Sequence, residues 1–224
     1  ALIERFKTNV RREETQIQVL SDDYIRFIAR GNHEIETAGT GIMAFITNNN
    51  YFRGQVFRDM RQALLHQFTE VKILDLHGNS RLKEVAPDGQ RDENVFDIVQ
   101  GVGISVFIQV PRPTDGDGTV SRDDLWGSRA TKYHRLTTSS LSSSSFELLK
   151  SSPPLYQFSV EDAEIAAEYG LFIALPSLFG SGEFATDKTK NYGTGFKSQQ
   201  DDFAIAFTKK EIVSNAEALI AASS

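Results

Sequence analysis

The chain has 224 residues, 40% hydrophobic and 24% charged, the profile of an ordinary globular protein with enough length for one large domain or two small ones. It has no cysteine, which excludes a disulfide framework and thiolate metal sites, and His33, His66, His77 and His134 are too scattered to form a local metal motif, so no metal is expected. The net charge is −6, with 15 acidic against 14 basic side chains in residues 1–112 and 15 against 10 in residues 113–224, which argues against nucleic-acid binding by charge alone.

Residues 1–20 are mostly polar, with Arg11, Arg12, Glu13 and Glu14 at their centre, and read as a solvated helix or connector. From Ser21 a helix is expected, with Asp22 and Asp23 at its amino end and Tyr24, Phe27, Ile28, Gly31 and Ile35 on one face. Gly39 and Gly41 stop it. Residues 42–46 form a continuous apolar run, too short for a helix and typical of a strand buried on both faces. A second helix is expected where Phe57, Met60, Ala63, Leu64 and Phe68 recur at helical spacing.

A strand then begins at Val71 and ends on Asp75 and His77. It is followed by a polar loop of about seventeen residues carrying Arg81, Lys83 and Arg91, of the length that usually serves a function. A return strand alternates through Val102, Ile104, Val106 and Ile108. Helix, buried strand, helix, strand, loop, strand is the rhythm of a parallel α/β sheet ending in an antiparallel pair. Ligands gather beyond the carboxyl ends of such strands, where residues 48–50 and 77–79 would lie.

Past Pro111 and Pro113 the composition changes. Residues 113–150 read as a linker with a serine-rich tract at 137–145, interrupted by the sole tryptophan, Trp126. Residues 151–224 offer a small second core through Leu155, Tyr156, Phe158, Leu171, Phe172, Ile173, Leu175, Leu178 and Phe179, and a strand at Phe203, Ile205 and Phe207.

Taken together, DDYIRF, GIMAFITNNNYFRGQVFRDMR, ILDLHGNSRLKEVAPDG and DENVFDIVQGVGISVFI resemble the second half of the methyltransferase domain in helicase-linked, type ISP restriction-modification enzymes. Their modification domains resemble the gamma class of adenine-N6 DNA methyltransferases. DLWGSRATKYHRL and GFKSQQDDFAIAF are similar to the passage from that domain into target recognition, so the resemblance runs from about residue 20 to residue 207.

The resemblance implies the carboxyl half of a Rossmann-like sheet over residues 1–112, followed by a smaller α+β segment, with a target-recognition domain starting at 151. It implies methyl transfer from S-adenosylmethionine to an adenine flipped out of double-stranded DNA. Phe96 matches the aromatic residue set against the flipped base, although on the sequence alone it reads first as a core anchor for the loop. Asn94, Asn48 and Asn49 join it as base-contacting candidates. Asp23 and Tyr24 are the cofactor-side candidates, and Arg81, Lys83 and Arg91 the DNA contacts. Helix caps, turn residues and a solvated loop are the plainer readings of these groups.

No catalytic residue is expected within these 224 residues. A cofactor turn must follow a strand and open a helix, which neither Gly39-Thr40-Gly41 nor Gly101-Val102-Gly103 does. The resemblance also implies an Asn-Pro-Pro-Tyr type tetrad that holds the target amino group, and Ser152-Pro153-Pro154-Leu155-Tyr156 lacks the aromatic residue directly after the prolines. The chain reads as a piece of a longer polypeptide whose remainder supplies both motifs, and a nuclease and helicase are possible companions. Alone it is expected to be inactive and to present an apolar strand edge at residues 42–46. The alternative is a non-catalytic DNA-binding or assembly module on the same scaffold. No apolar run approaches bilayer length and the amino end lacks a signal pattern, so no membrane partner and a cytoplasmic location are expected.

Overall fold

The computed structural model describes residues 2–14, 16–111, 116–141 and 143–160, with a few isolated positions beyond. Residues 1–162 and 163–224 separate into two units, and the architecture below belongs to the first. The expected strand at Phe203, Ile205 and Phe207 and four residues of the expected second core, Ile173, Leu175, Leu178 and Phe179, lie outside the described residues. Of the other five, Phe158 is buried in the core of the first unit, with Tyr156 packed against it, and Leu171 and Phe172 are exposed.

Among the described residues five strands form one mixed sheet: β1 (Gly41–Asn48), β2 (Glu70–His77), β3 (Val102–Gln109), β4 (Thr119–Asp124) and β5 (Glu147–Leu149). Their spatial order is β1-β3-β2-β4-β5. The return strand β3 inserts between β1 and β2 and runs antiparallel to both. Only β2 and β4 pair in parallel, so the sheet is mixed where the sequence suggested a mainly parallel one. The stretch expected to be a linker contributes β4, β5 and the helix α4 (Arg129–Thr138). The expected domain boundaries did not foresee this, because short polar strands such as TVSRDD carry almost no apolar signal.

One sheet face packs beneath α2 (Asp23–Ala38) and α3 (Arg58–Gln67), burying Met43, Val71, Ile73, Phe107 and Val120. The α3 stripe is as expected, with Phe57, Met60, Leu64 and Phe68 all buried. In α2 the buried set is Ile25, Ile28, Ala29, Asn32 and Ile35, while Phe27 is 63% exposed. The core stripe is therefore centred about one position from the expected one. Gly39 ends α2 in the left-handed region at φ 75°, its N–H bonding Ile35 O at 2.8 Å.

The amino-terminal segment is not a solvated connector. Its short α1 (Val10–Glu13) and the turn before it bury Phe6 and Val10 completely. Asp59 of α3 accepts from the N–H groups of Asn9 and Val10, satisfying donors at the start of α1.

The other sheet face carries a smaller cluster, Leu76, Val95, Val102 and Leu125, with Leu74, Ile104 and Leu136 of α4 packed against it. Strand β1 is an edge strand covered on one face only. Met43 is buried, but Ile42 and Ile46 are 70% and 55% exposed, so the run is not buried on both faces. A sheet edge with this exposed apolar row is the feature expected at residues 42–46.

Gly103 in β3 lies where Phe52 crosses the sheet, and a Cβ there would run into the ring. Gly103→Ala is expected to lower stability by about 1–3 kcal/mol through overpacking, read as a reduced urea midpoint with unchanged slope.

Candidate functional site

Strand β2 ends abruptly: a bulge falls between Asp75 and His77, and His77 and Gly78 both take positive φ, 53° and 83°. The chain then leaves the sheet until Val102. This excursion is tightly braced. The Asn94 side-chain amide donates to Gly78 O at 3.1 Å and Gln100 O at 2.7 Å, tying the two ends of the loop together. Between them a small hairpin turns at Asp88 and Gly89, with Val85 bridging Arg91.

The far side of the loop is gripped by α4. Ser128 starts that helix by accepting from Thr131 N. Lys132 is fully buried, and its ammonium donates to Leu76 O at 2.7 Å, Asp92 Oδ2 at 2.9 Å and Glu93 O at 2.7 Å. Arg129 donates through Nε to Asn94 O at 2.8 Å, and through Nη2 to Phe96 O at 3.0 Å and Asp97 at 2.7 Å. The Tyr133 hydroxyl donates to Val95 O at 2.7 Å. Residues 92–97 are thus held through backbone carbonyls and through the side chains of Asp92, Glu93, Asn94 and Asp97, and Phe96 turns its ring to a cleft of about 920 Å³.

Phe96, 42% exposed as a residue, lines this cleft together with Lys83 and Arg91. The plain reading of Phe96 as a buried core anchor does not hold, because Val95 is the residue that enters the core. Arg81 is exposed on the same loop but outside the cleft wall. Asn94 borders the cleft, yet its amide is spent on the two loop carbonyls and its Oδ1 accepts from Phe96 N at 2.9 Å.

The remaining candidates sit elsewhere. Asn48 accepts from Asn50 N as a turn cap. Asn49 is buried and donates to Asp75 Oδ1 at 2.9 Å, so the carboxyl ends of β1 and β2 do meet. Tyr24 borders a separate cleft of about 500 Å³ with Asp22, Asn50 and Arg53, and burial pushes its phenol well above the ordinary range. Asp23 lies outside that cleft and is paired with Arg26.

A buried charge cluster at the start of the loop was not foreseen as part of the site. Arg122 of β4 donates to Asp75 at 2.8 Å, to Asp124 at 2.6 Å and to Phe158 O at 3.0 Å. His77 Nε2 lies 2.7 Å from Asp124 Oδ1, and its ring stacks on Trp126 with centroids 3.3 Å apart. His77 Nδ1 has no hydrogen-bond partner but faces Glu84 at 3.7 Å and Asp75 at 3.9 Å. Asp75, His77 and Asp124 bring possible ligand atoms within 4.8 Å of one another. The Arg122 guanidinium already bridges both carboxylates and supplies the positive charge there.

Burial opposes charging of His77, but the bond to Asp124 and the facing Glu84 and Asp75 outweigh it and hold its pKa above the ordinary value. For Asp124 burial likewise works against the charged form, yet His77 and Arg122 hold it down to about 2. Arg129, Lys132 and Tyr133, the clamp residues, were legible only as a spacing: positions i, i+3 and i+4 lie on one helix face.

No protein-family model and no curated protein sequence matches the chain. Solved structures do. A DrdV–DNA complex determined by cryo-electron microscopy superposes with a TM-score of 0.68 at 18% identity, over 98% of this chain and 22% of that one. The ATP-dependent type ISP restriction-modification enzyme LlaBIII bound to DNA gives 0.62 at 21% identity, over 96% of this chain and 13% of that one. A nuclease-deletion mutant of the type ISP enzyme LlaGI, in complex with a DNA substrate mimic, gives 0.58 at 18% identity, over 75% and 13%. This chain shares its fold with a part of these proteins. It spans about a fifth or less of their length. Among the described residues no helix is long and apolar enough to cross a membrane.

The raised His77 pKa carries a pH signature. Its contribution to stability is fully present below the ordinary histidine value of about 6.5 and is lost as pH rises through the higher folded value. Urea denaturation from pH 5 to 9 is expected to show the parent losing stability relative to His77→Gln as pH rises. Parallel curves would show that His77 is not held charged.

Proposed function

We propose that this chain is part of a site-specific DNA adenine-N6 methyltransferase of a restriction-modification system. In that reading it shapes the pocket for an adenine flipped out of double-stranded DNA in the cytoplasm. The observation that carries the reading is Phe96, an aromatic side chain left half-exposed in a cleft while the backbone beneath it is fixed on both sides. Its neighbours Lys83 and Arg91 provide positive charge for phosphates at the same cleft. The likeness to DNA-bound type ISP enzymes supports a role in restriction-modification.

Extruding a base costs a few kcal/mol of stacking and pairing. An aromatic face returns roughly 1–3 kcal/mol of this, and a face that is already positioned loses little entropy in doing so. The methyl group itself would come from S-adenosylmethionine, which supplies an activated methyl for transfer to the adenine nitrogen. Asp22 and Tyr24, which present polar groups to one cleft, fit a place at the margin of such a cofactor; Asp23, turned to Arg26, does not. The groups that hold the target amino nitrogen belong, in this reading, to the rest of the polypeptide. The exposed edge of β1 is where more of the sheet would pair.

Phe96→Ala in the full-length protein is expected to lower methyl transfer to DNA by about 10-fold or more, the loss of one stacking platform. Overall DNA affinity, set mainly by phosphate contacts, should change much less. Incorporation of labelled methyl groups, beside a binding titration, measures both. Unchanged transfer with weakened binding would instead support the non-catalytic DNA-binding module.

A further inference from the structure

The cleft residue Phe96 is held in an unusual way. Its own N–H donates to Asn94 Oδ1 at 2.9 Å, and its own carbonyl accepts from Arg129 Nη2 at 3.0 Å. Asn94 is itself fixed by two loop carbonyls, and Arg129 reaches Asn94 O at 2.8 Å with the same guanidinium. The peptide units on both sides of Phe96 are therefore bonded to side chains that are themselves anchored. What freedom remains belongs to the ring's own torsions.

Arg129 is not needed to hold α4 on the sheet. That task falls to Lys132, which donates to Leu76 O of β2, and to Leu136 in the apolar cluster. The Arg129 side chain is 39% exposed, and the bonds of its guanidinium go to Asn94, Phe96 and Asp97. Its N–H, by contrast, is bonded to Glu93 as part of the helix start. A partly exposed guanidinium spending itself on loop carbonyls next to a half-exposed aromatic is a device for aiming that aromatic.

We infer that Arg129 is a positioning residue, which acts on the reaction through Phe96 by fixing the backbone that presents its ring. The inference rests on the proposed role of Phe96 at the flipped base. The guanidinium fork suits the task because it bonds two acceptors of the loop backbone in one plane, which a lysine cannot do. Misplacement of a reacting partner by about 1 Å can cost on the order of 100-fold in rate.

The test is a double-mutant cycle in the full-length enzyme, built from Phe96→Ala, Arg129→Ala and the pair, with kcat for methyl transfer and Kd for DNA measured for each. Arg129→Ala is expected to lower kcat by no more than Phe96→Ala does, about 10-fold, with a Kd change under about 2-fold, since a phosphate contact would show mainly in binding and its salt dependence. In the Phe96→Ala background the same change is expected to add almost nothing. Arg129→Lys should recover only part of the loss. Tyr133→Phe, which removes the bond to Val95 O while keeping the ring, gives a milder displacement of the same loop should Arg129→Ala fail to fold. It is expected to lower kcat in the parent and not in Phe96→Ala.

Independent, multiplying effects of Arg129→Ala and Phe96→Ala on kcat would overturn the inference, as would a loss confined to Kd. If Arg129→Ala does not fold, independent effects of Tyr133→Phe and Phe96→Ala overturn it in the same way. If Phe96→Ala itself leaves kcat unchanged, the reading of Phe96 fails first, and the positioning role falls with it.

Discussion

The structure around the cleft depends on one buried ammonium. Lys132 has no exposure, and a cation so placed costs several kcal/mol unless its protons are all used. They are: one goes to the end of β2, one to Asp92 and one to Glu93. A single charge thereby joins the strand, the loop that leaves it and the helix that lies over the sheet. Geometry this demanding has few alternatives, so the loop has a fixed position although it contains almost no regular structure.

The second anchor is the charge cluster where the loop begins. Arg122 and His77 face Asp75, Asp124 and Glu84, and Asn49 adds a neutral donor from the neighbouring strand end. The carboxyl ends of β1, β2 and β4 are locked together by these groups, with Trp126 laid over the imidazole. The cluster fixes the start of the excursion, Lys132 grips its returning limb at residues 92–93, and Asn94 ties its beginning to its end. Rigidity at the ends leaves the middle to present Phe96, Lys83 and Arg91 outward.

The helices α2 and α3, the strands β1 to β3 and the long loop were all legible, because apolar spacing and glycine positions report local periodicity. Burial was less so. The one-sided exposure of Ile42 and Ile46 follows from β1 lying at an edge, a fact of topology that a run of apolar residues does not carry. The pairing of β4 was missed because five of its six residues, all but Val120, are polar, and two of them, Arg122 and Asp124, are used in the charge cluster. The basic residues of the loop were singled out by their setting, and Phe96 by the resemblance to type ISP enzymes. The clamp was not, since Arg129, Lys132 and Tyr133 act on backbone atoms some 35 residues away, and no local pattern reports a partner at that distance.

The central claim is that the Phe96 side chain meets a DNA base taken out of the duplex. Replacing Phe96 with the photo-crosslinking residue benzoylphenylalanine in the full-length protein, irradiating it on DNA with a non-transferring cofactor analogue, and mapping the adduct tests this directly. The account predicts a crosslink to the base of an adenine, at the position that the parent enzyme methylates. Crosslinks confined to sugar and phosphate, or scattered over paired bases, would contradict it.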